Sequence, residues 1–408
     1  MRHLKIDDVT SVTINKDINE RRIKLLASPI SSISRQQFSV GVSIVGPGKI
    51  HEEHRHEGSE EIVICIGGEG LAKIAGHEFP VGYGSVIGID QGEPHQFLNT
   101  GQQPLTLLWI YDPPGAERKF VPKAPESIDR NKVEELKRFA TEIRLATLRE
   151  FRVLGFGHIG GSMSVVELLA VLYGGVMNID PENPRWENRD WLVMSKGHAG
   201  PALYATLALK GFFPAEELLT LNQAKTRFPS HCDRNRTPGV DMTTGSLGQG
   251  MSTAIGVALG NRLDGRKSYT YLILGDGECD EGQVWEGALF ASHRNLSNLI
   301  AFIDYNKQQL DGYTKDICDL GNLAAKFATF NWFVQDIDGG DVEQIYAAIQ
   351  RAKSQQKQPS MIVLNTEKGK GCSFAEHQLY NHHMTFTKEQ VDEAIAILET
   401  GLKGGTEK

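Results

Sequence analysis

The sequence is poor in cysteine. It contains five cysteines, with no Cys-x-x-Cys pair among them: Cys65, Cys232, Cys279, Cys318 and Cys372. Because their number is odd and their positions are scattered, they argue against a disulfide scaffold or a structural zinc site. Free thiols of this kind favour a reducing compartment.

Long apolar runs and an excess of positive charge are also absent. No run approaches the roughly 20 apolar residues that span a bilayer. The start, MRHLKIDDVT, lacks the apolar core of a signal peptide. The net charge of −8 leaves no basic surplus to neutralise nucleic-acid phosphates. We therefore expect a soluble, cytoplasmic protein that binds neither nucleic acid nor membrane.

Composition and pattern divide the 408 residues into two parts. The first part contains short β segments separated by glycine-containing turns, FSVGVSIV, EIVICI, GSVIGI and PLTLLWIY, which is typical of an all-β barrel or jelly roll. The stretch that follows, DPPGAERKFVPKAPES, has four prolines and can continue neither a strand nor a helix. We predict a barrel domain over residues 1–112 and a linker over residues 113–126.

Residues 127–400 have the pattern of an α/β domain. Apolar residues at helical spacing predict an amphipathic helix that begins near Asp129. Farther on, three apolar strand-like runs, YTYLIL, NLIAFID and SMIVLN, alternate with helical stretches. This alternation indicates a mainly parallel sheet.

The end of the chain carries the signals of one last helix. Thr387 and Gln390 have the spacing of a capping box, which predicts the start of the helix. Gly401 is the residue type that commonly ends helices. We therefore predict that the helix ends at Gly401 and that residues 401–408 form a tail.

Histidines in the first domain are spaced like metal ligands. His54 and His56 lie two residues apart on a predicted strand, so both side chains point into the barrel. Glu61 can join them, and His95 comes from a later hairpin. Three imidazoles and one carboxylate suit a divalent transition metal that keeps open coordination positions.

The same region resembles the two sequence motifs of cupins. The first motif is matched at its spacing by Gly48, His54, His56, Glu61 and Gly68, and the second by Gly84, Gly92, His95 and Asn99. Asp90 stands where the family usually has proline, which concerns a turn and no ligand. The resemblance implies a metal-binding jelly roll. It leaves the function open, because cupins include isomerases, dioxygenases and sugar- or effector-binding modules.

In the second domain, the stretch LILGDGECDEG runs from an apolar strand into an acidic turn. An EF-hand calcium loop needs glycine at position 6 and glutamate at position 12. Counted from Asp276, these positions hold Glu281 and Gly287, so the calcium interpretation fails. A plain turn is possible, but it does not require three further acids close behind.

A second apolar strand ends at Asn306, 30 residues after Asp276. If the helix between them makes a right-handed crossover, the two strands are parallel neighbours and both residues lie at the same edge of the sheet. A carboxylate, an amide oxygen and a backbone carbonyl near Gln308 are the hard oxygen ligands that Mg²⁺ prefers. Gly275 and Gly277 let the backbone approach phosphate groups closely.

Gly-Asp-Gly followed by asparagine at this distance resembles the thiamine diphosphate signature. Four further stretches resemble transketolase, in family order: GHIGGS (157–162), SKGHAGPALY (195–204), TTGSLGQG (243–250) and KGKG (368–371). The similarity covers about residues 130–400 and is greatest to the amino-terminal subunits of split transketolases. It implies an α/β domain that binds thiamine diphosphate and Mg²⁺.

The resemblance implies roles for the matching residues. The magnesium ligands are Asp276, Asn306 and the carbonyl group of Gln308. The cofactor-binding residues are Gly245, Leu247, Gly277, Asp276 and Asn306, and Glu281 matches an acidic residue in the network near the cofactor at the subunit interface. The histidines that line the cofactor and the two-carbon unit are His158, His198, His231 and His382.

Imidazole chemistry suits this implied reaction, because ketol transfer moves protons near neutral pH, where histidine ordinarily titrates. The sequence also departs from the family pattern. Ile159 stands where proline is common, and PSHCD surrounds His231 where glycine and proline are usual. We expect these departures to affect substrate preference.

The resemblance further implies a partner. In this superfamily a glutamate on a separate pyrimidine-binding domain triggers loss of the C2 proton of thiamine, and no second α/β domain is evident here. We expect a second polypeptide to carry it, in an α2β2 assembly. The expected function is transfer of a two-carbon ketol unit from a ketose or ketose phosphate to an aldose. The cupin would be a sugar-binding, regulatory or auxiliary catalytic part.

Two other interpretations stay open. One keeps thiamine diphosphate and changes the reaction to acyl transfer or 2-oxo acid decarboxylation, which has less need of the histidine set. The other makes the cupin the active part, as a sugar-binding protein or isomerase, with the α/β half serving only assembly. The intact Asp276, Asn306 and Glu281 argue against a decayed cofactor site.

Overall fold

The computed structural model describes residues 5–9, 11–14, 17–27, 37–114 and 128–404. The chain divides into two compact units, Met1–Ala124 and Pro125–Lys408. The predicted linker, residues 113–126, lies almost wholly outside the described residues. Its limits therefore stay a prediction.

The first unit is built from two antiparallel sheets. Its strands within the described residues are β1 Val12–Ile14, β2 Arg21–Ala27, β3 Ser39–Val45, β4 Ile50–His54, β5 Glu60–Gly67, β6 Glu69–Ile74, β7 His77–Gly82, β8 Val86–Ile89, β9 His95–Asn99 and β10 Leu105–Asp112. The larger sheet has the order β1-β2-β3-β10-β5-β8, and the smaller has the order β4-β9-β6-β7. This strand-rich architecture agrees with the predicted barrel.

Strand alternation places the core of this unit. In β10, Leu105, Leu107, Trp109 and Tyr111 are buried, whereas the residues between them are partly exposed. Burial of each leucine side chain contributes about 1.5–3 kcal/mol. Gly41 on β3 faces Trp109 so closely that a Cβ atom there would lie 2.1 Å from the indole ring, so the core requires glycine at this position.

The second unit alternates helices and strands. Its elements are α1 Arg130–Leu154, β11 Phe156–Gly157, α2 Ile159–Met163, α3 Val166–Val171, β12 Trp191–Met194, α4 Gly200–Leu209, α5 Gln249–Leu263, β13 Thr270–Gly275, α6 Gly282–His293, β14 Leu299–Tyr305, α7 Thr314–Ile317, α8 Leu323–Thr329, β15 Phe333–Asp338, α9 Val342–Lys353, β16 Ser360–Asn365, β17 Met384–Thr385 and α10 Lys388–Gly404. The main sheet has five strands in the order β12-β13-β14-β16-β15. All four strand pairs in it are parallel, as predicted.

Both faces of this sheet are covered. In β13, Tyr271 and Ile273 belong to one hydrophobic cluster, together with residues of α1, α3, α4 and α9. The alternating Leu272 and Leu274 belong to a second cluster, with residues of α5, α6 and α8. A strand that is buried on both faces has a near-continuous apolar sequence, which is why the run YTYLIL predicted it correctly.

The predicted long helix is confirmed, and its ends have clear causes. At the start of α1 the side chain of Asp129 accepts a hydrogen bond from the backbone N–H of Asn131 at 3.3 Å. At its end Gly155 has a φ of 76°, a left-handed conformation that glycine adopts without steric cost.

The predicted end of the last helix is wrong. The capping box does form, because Gln390 donates its backbone N–H to the Thr387 hydroxyl at 3.2 Å and returns its side chain to the Thr387 N–H at 2.9 Å. However, α10 continues through Gly401 to Gly404. A glycine inside a helix costs only about 1 kcal/mol, so its presence alone does not end the helix. Residues 405–408 lie outside the described residues.

One helical stretch within the described residues, Ile159–Val176, has the length and mean hydropathy of a membrane span. It is 83% buried within the unit. Its residues contribute to the first hydrophobic cluster, which accounts for their apolar character.

Candidate functional site

The predicted diphosphate site lies at the carboxyl edge of the parallel sheet. Strands β13 and β14 are neighbours, with Gly275 paired to Asp304, so Asp276 and Asn306 follow adjacent strand ends. A cavity of about 220 Å³ opens at this edge, and we call it the sheet-edge cavity. Predicted site residues that line it are His158, His198, His231, Gly245, Leu247, Asp276, Gly277, Asn306, Gln308 and His382.

Asp276 is buried at this edge, with 2% of its surface exposed. Its Oδ1 accepts the N–H of Gly277 at 2.8 Å, and its Oδ2 accepts the N–H of Lys307 at 2.5 Å. Burial and the nearby Asp304 raise the pKa of Asp276 to about 7, against the lowering effect of the two hydrogen bonds. A buried carboxylate with so little charge compensation suits a bound cation.

Asn306 and Gln308 present amide and carbonyl oxygens beside this carboxylate. The side chain of Asn306 is oriented by a hydrogen bond from its Nδ2 to Asp304 at 2.9 Å, while its Oδ1 accepts the N–H of Gln308 at 3.2 Å. Among the described residues, the buried Oε1 of Gln308 has no hydrogen-bond partner. An oxygen-only donor set with an unsatisfied buried oxygen fits Mg²⁺.

Asp304 holds residues of the cavity in place, a role that the sequence motifs did not reveal. It is fully buried and accepts hydrogen bonds from Lys196 at 2.5 Å, from Ser164 at 2.6 Å and from Thr366 at 2.5 Å. Burial raises the pKa of Asp304, but Lys196 and the hydroxyl donors outweigh it, so the net shift is downward. The carboxylate therefore stays charged and holds both Lys196 and Asn306 in place.

Two buried lysines line the same cavity. Lys196 and Lys368 are 1% and 2% exposed. Lys368 donates to the carbonyl of Gln308 at 3.1 Å and lies 3.4 Å from Nδ1 of His382. Burial and Lys196 lower the pKa of Lys368 to about 8, although Asp276 and Asp304 raise it. Both lysines stand inside the motifs SKGHAGPALY and KGKG, which could have marked them, but neither was predicted as a site residue.

The four predicted histidines converge although they are far apart in the chain. The ring of His158 lies 5.6 Å from His198, 5.3 Å from His231 and 5.5 Å from His382, measured between centroids. His198 and His382 are 4.6 Å apart. His383, which was not predicted as a site residue, is 4.9 Å from His158.

These histidines do not have the near-neutral titration that their residue type led us to expect. Burial, His231, His383 and Lys368 lower the pKa of His158 to about 4. Burial and Lys368 lower the pKa of His382 to about 3. The pKa values of His198 and His231 are also lowered by burial. At neutral pH the rings are therefore uncharged, and each can donate one hydrogen bond and accept another.

Glu281 is predicted to lie in the network near the cofactor at a subunit interface. It is exposed and does not line the sheet-edge cavity. Of the two glutamates in this turn, the one that lines the cavity is Glu278, which is 2% exposed. Glu278 accepts hydrogen bonds from the Ser195 hydroxyl and from the N–H of Gly248 at 2.8 Å. The predicted role of Glu281 at a subunit interface stays a prediction.

Gly245 and Leu247 belong to the loop that precedes α5. Gly245 has a φ of 136°, and a Cβ atom there would lie 2.9 Å from the ring of His231. Only glycine therefore allows the loop and the imidazole to occupy this wall of the cavity together.

In the first unit, the four predicted metal ligands come together. One possible ligand atom from each of His54, His56, Glu61 and His95 lies within 4.8 Å of the others, and we call these residues the cupin metal cluster. Bonds of about 2.1 Å to a shared ion require ligand atoms separated by roughly 3–4 Å, so small movements would complete a site. His56 and His95 lie 3.2 and 3.0 Å from Oε2 of Glu61.

Backbone carbonyls orient two of these rings. Nδ1 of His54 lies 2.8 Å from the carbonyl of Glu52, and Nδ1 of His95 lies 2.9 Å from the carbonyl of Glu93. A proton on Nδ1 leaves the Nε2 lone pair for a metal, which is the usual support for a metal-binding imidazole.

The electrostatics of the cluster depend on Glu61. Burial raises the pKa of Glu61, but the adjacent His56 and His95 outweigh this and lower it to about 2. The carboxylate therefore remains ionised and available to a cation. His51, which was not predicted as a ligand, is buried and stacks on His54 with ring centroids 4.5 Å apart.

Comparison with known proteins assigns both units to families. Residues 136–401 match the family described as "Transketolase, thiamine diphosphate binding domain", and residues 41–111 match "Cupin domain". The chain is 56% identical over 265 residues to the 6-deoxy-6-sulfo-D-fructose transketolase subunit SqwG of Clostridium sp. (strain MSTE9), which covers 65% of this chain and 96% of that protein. It is 36% identical over 239 residues to an apulose-4-phosphate transketolase subunit of Phocaeicola vulgatus, covering 59% of this chain and 85% of that one.

Solved structures agree with this assignment. The transketolase of Campylobacter jejuni superposes with a TM-score of 0.61 at 28% identity, covering 67% of this chain and 43% of that one. This chain thus spans less than half the length of the single-chain transketolases it matches, but nearly the whole length of SqwG. The chain belongs to the transketolase family, as a subunit of the split type that carries the thiamine diphosphate-binding domain, together with a cupin domain.

Proposed function

We propose that the chain is one component of a two-component transketolase that moves a two-carbon ketol unit from a ketose to an aldose. The observation that carries the proposal is the sheet-edge cavity, where Asp276 and Asn306 lie beside buried lysines and converging histidines. Relatives that are named as transketolase subunits support the same reaction class.

Mg²⁺ would be held by Asp276, Asn306 and the carbonyl group of Gln308. Asp276 supplies the negative charge, and its raised pKa reflects how little charge compensation the protein provides on its own. Lys196 and Lys368 would offset the charge of a diphosphate group in the same cavity. The backbone at Gly277 would approach that group closely, as glycine allows.

Thiamine diphosphate, when bound, supplies the carbon nucleophile for the carbonyl group of the donor ketose. The chain supplies orientation and proton handling. The neutral rings of His158, His198, His231 and His382 would donate hydrogen bonds to sugar carbonyl oxygens and accept them from hydroxyl groups. Burial keeps these rings uncharged, so they can hold a proton at one nitrogen while accepting one at the other.

The histidine cluster favours ketol transfer over decarboxylation of a 2-oxo acid. Ketoses present several hydroxyl groups near the reacting carbonyl, and four imidazoles can serve as directed partners for them. A simple 2-oxo acid presents fewer such groups. The convergence of His158, His198 and His382 within 5.6 Å supports the sugar substrate.

A partner subunit with the pyrimidine-binding domain would complete the enzyme, in an α2β2 assembly. The exposed Glu281 lies beside Gly248, which borders the cavity wall, and would meet the partner in the network near the cofactor. We further propose a cytoplasmic location and a donor sugar that carries a terminal anionic group. The 56% identity to a 6-deoxy-6-sulfo-D-fructose transketolase subunit supports this donor class.

The cupin metal cluster would hold a divalent transition metal. Three imidazoles and one ionised carboxylate match the ligand preference of such ions and leave positions open for a ligand. We place its role alongside the transketolase reaction, in sugar binding, regulation or auxiliary catalysis.

The test of the function uses the chain alone and together with the protein encoded by the neighbouring reading frame. With thiamine diphosphate and Mg²⁺, we expect ketol transfer from 6-deoxy-6-sulfo-D-fructose or fructose 6-phosphate to glyceraldehyde 3-phosphate only when both chains are present. Transfer at full rate by this chain alone would contradict the need for a partner. Absence of transfer with a partner that carries the pyrimidine-domain glutamate would contradict the reaction.

A further inference from the structure

Arg21 is a buried charge inside the cupin unit. It is 4% exposed and stands on β2 two residues before Ile23, which packs in the core of this unit. The intervening Arg22 is exposed. Because side chains alternate along a strand, Arg21 faces the barrel interior and Arg22 faces solvent.

The interior gives Arg21 too few partners. Among the described residues, neither its Nε nor its Nη1 has a hydrogen-bond partner. The carboxylate of Glu52 lies 3.9 Å from Nη1, beyond hydrogen-bond distance, and its side chain is 46% exposed. Burial lowers the pKa of Arg21, and Glu52 and Tyr111 raise it only in part. Arginine remains charged in proteins, so its buried guanidinium group needs an anion.

Arg21 shares two neighbours with the cupin metal cluster. Tyr111, one of the two groups that raise the pKa of Arg21, packs its ring against His56 with centroids 4.7 Å apart. The other group is Glu52. Its carboxylate faces Arg21, and its backbone carbonyl accepts a hydrogen bond from His54. Both neighbours of Arg21 are therefore also neighbours of metal ligands.

A second unsatisfied polar group supports a ligand in the same interior. Ser43 is 1% exposed, and its hydroxyl has no partner among the described residues. Ser43 lies on β3, where it pairs with Ile23 of β2. The residue that pairs with Arg21 is Val45, two positions farther along β3. A buried hydroxyl group without a partner and a buried guanidinium group with two nitrogens that lack hydrogen bonds are the donors that an oxyanion requires.

We propose that the cupin domain binds a small organic anion whose carboxylate, phosphate or sulfonate group pairs with Arg21 while a second oxygen of the same molecule coordinates the cluster metal. The planar guanidinium group offers two parallel donors to such an oxyanion. The open positions of the metal accept the second oxygen. This inference rests on the proposed metal site of the cupin and not on the transketolase reaction.

The experiment uses the full chain with Asp276→Ala, which keeps metal out of the predicted magnesium site. The protein is stripped with a chelator and reloaded with Co²⁺, whose visible spectrum reports its coordination. Glycolate, 2-phosphoglycolate and 2-hydroxyethanesulfonate distinguish the three oxyanions, and ethylene glycol is the uncharged control. We expect at least one anion to change the spectrum with saturation and ethylene glycol to leave it unchanged.

The decisive comparison is between Arg21→Gln and the matched control Arg22→Gln on the same strand. We expect R21Q to weaken the anion at least tenfold with unchanged cobalt content, and R22Q to bind as the parent does. Equal binding by R21Q and R22Q, a response to ethylene glycol at the same concentrations, or no response to any anion would overturn the inference. Absence of cobalt uptake would overturn the cupin metal site as well.

Arg21→Lys provides a second test in case R21Q does not fold. Circular dichroism and cobalt content would reveal such misfolding. Lysine keeps the charge and loses the two-pronged geometry. We expect an affinity between those of the parent and of a charge-free site. If R21Q does not fold, parent-like affinity of R21K for all three anions would overturn the inference.

Discussion

The two candidate metal sites each contain a buried carboxylate, and the pKa values of these carboxylates move in opposite directions. The pKa of Glu61 in the cupin metal cluster is lowered to about 2, because the adjacent His56 and His95 offset its burial. The pKa of Asp276 at the sheet edge is raised to about 7, because burial and Asp304 dominate over two backbone hydrogen bonds. The cupin site therefore contains its own partners, whereas the sheet-edge site depends on an added cation.

The difference follows from how the two sites are assembled. The cupin cluster draws on β4, β5, β9 and the loop after β4, all within 42 residues, and two of its three imidazoles are oriented by carbonyl groups two residues away in the chain. The sheet-edge cavity draws on loops between His158 and His382, and its acidic and basic groups balance only in part. The groups of the first site offset one another, whereas the second leaves charge for the proposed cation and cofactor to offset.

The largest effect is expected from Asp276→Ala. Removal of the only charged ligand proposed for Mg²⁺ would weaken thiamine diphosphate binding more than about 100-fold. Cofactor titration by calorimetry in the presence of Mg²⁺ measures this loss. Asp280→Ala, an exposed acid in the same turn, is the matched control. If both variants bind the cofactor like the parent, the sheet-edge site does not depend on a cation at Asp276.

His95→Ala tests the other side of the comparison. Loss of this imidazole removes one metal ligand and the ring nitrogen that lies 3.0 Å from Glu61, and we expect the affinity for a transition metal to fall about 100-fold. Metal content after dialysis measures the change. His77→Ala, an exposed histidine of β7, is expected to keep its metal, and thiamine diphosphate binding is expected to survive in both variants. Metal retention by H95A would contradict the cluster.

Lys368→Met tests whether positive charge in the sheet-edge cavity supports cofactor binding. Loss of a hydrogen bond between charged groups costs about 1.5–3 kcal/mol, so we expect a 10- to 100-fold weaker affinity for thiamine diphosphate. Lys307→Met is the matched control, because its side chain is exposed while its backbone N–H still reaches Asp276. An equal effect of both substitutions would show that net charge, and not position, matters.

The smallest expected effect concerns pH. The pKa of His158 is lowered from 6.5 to about 4 by burial and neighbouring cations, so between these values the unfolded chain binds a proton that the folded chain does not. The protein therefore loses stability as pH falls from 6.5 to about 4. His158→Asn removes this loss. We therefore expect the Tm difference between the variant and the parent to be on the order of 2 °C more favourable to the variant at pH 5 than at pH 7.5. The effect is small because His158 is partly exposed and solvent screens its charge.

Thermal unfolding at a series of pH values measures this difference. His293→Asn, at an exposed position, is the control and is expected to follow the parent throughout. If the Tm difference between H158N and the parent is constant across this range, the pKa of His158 is not lowered in the folded protein and the prediction is wrong.

Much of the candidate site was predictable because short motifs mark it. Asp276 and Asn306 could be placed at one edge from the rule that links parallel strands through a right-handed crossover. His54 and His56 were paired from strand alternation. Their rings do lie 4.9 Å apart, but the strand premise is wrong, because β4 ends at His54 and His56 follows it. In each of these cases the residues that act together are related by local geometry, so sequence spacing was sufficient.

Other features could not be read in this way. Asp304 lies inside the apolar run NLIAFIDYN, and only the packing of Lys196, Ser164 and Thr366 around it shows its role. Glu278 and Glu281 are three residues apart and equally acidic, but the short helical turn Gly277–Asp280 directs only Glu278 into the cavity. Gly401 has the residue type of a helix end and lies inside a helix.

The sequence by itself determined the two fold classes, the alternation of strands and helices in the second unit and the residue types of both sites, because these depend on periodicity and on motifs a few residues long. Only the tertiary structure decided which acids are buried, which lysines face them and how far the histidine pKa values fall. Those properties depend on desolvation and on charges brought close by residues far apart in the chain, and no local pattern encodes either quantity.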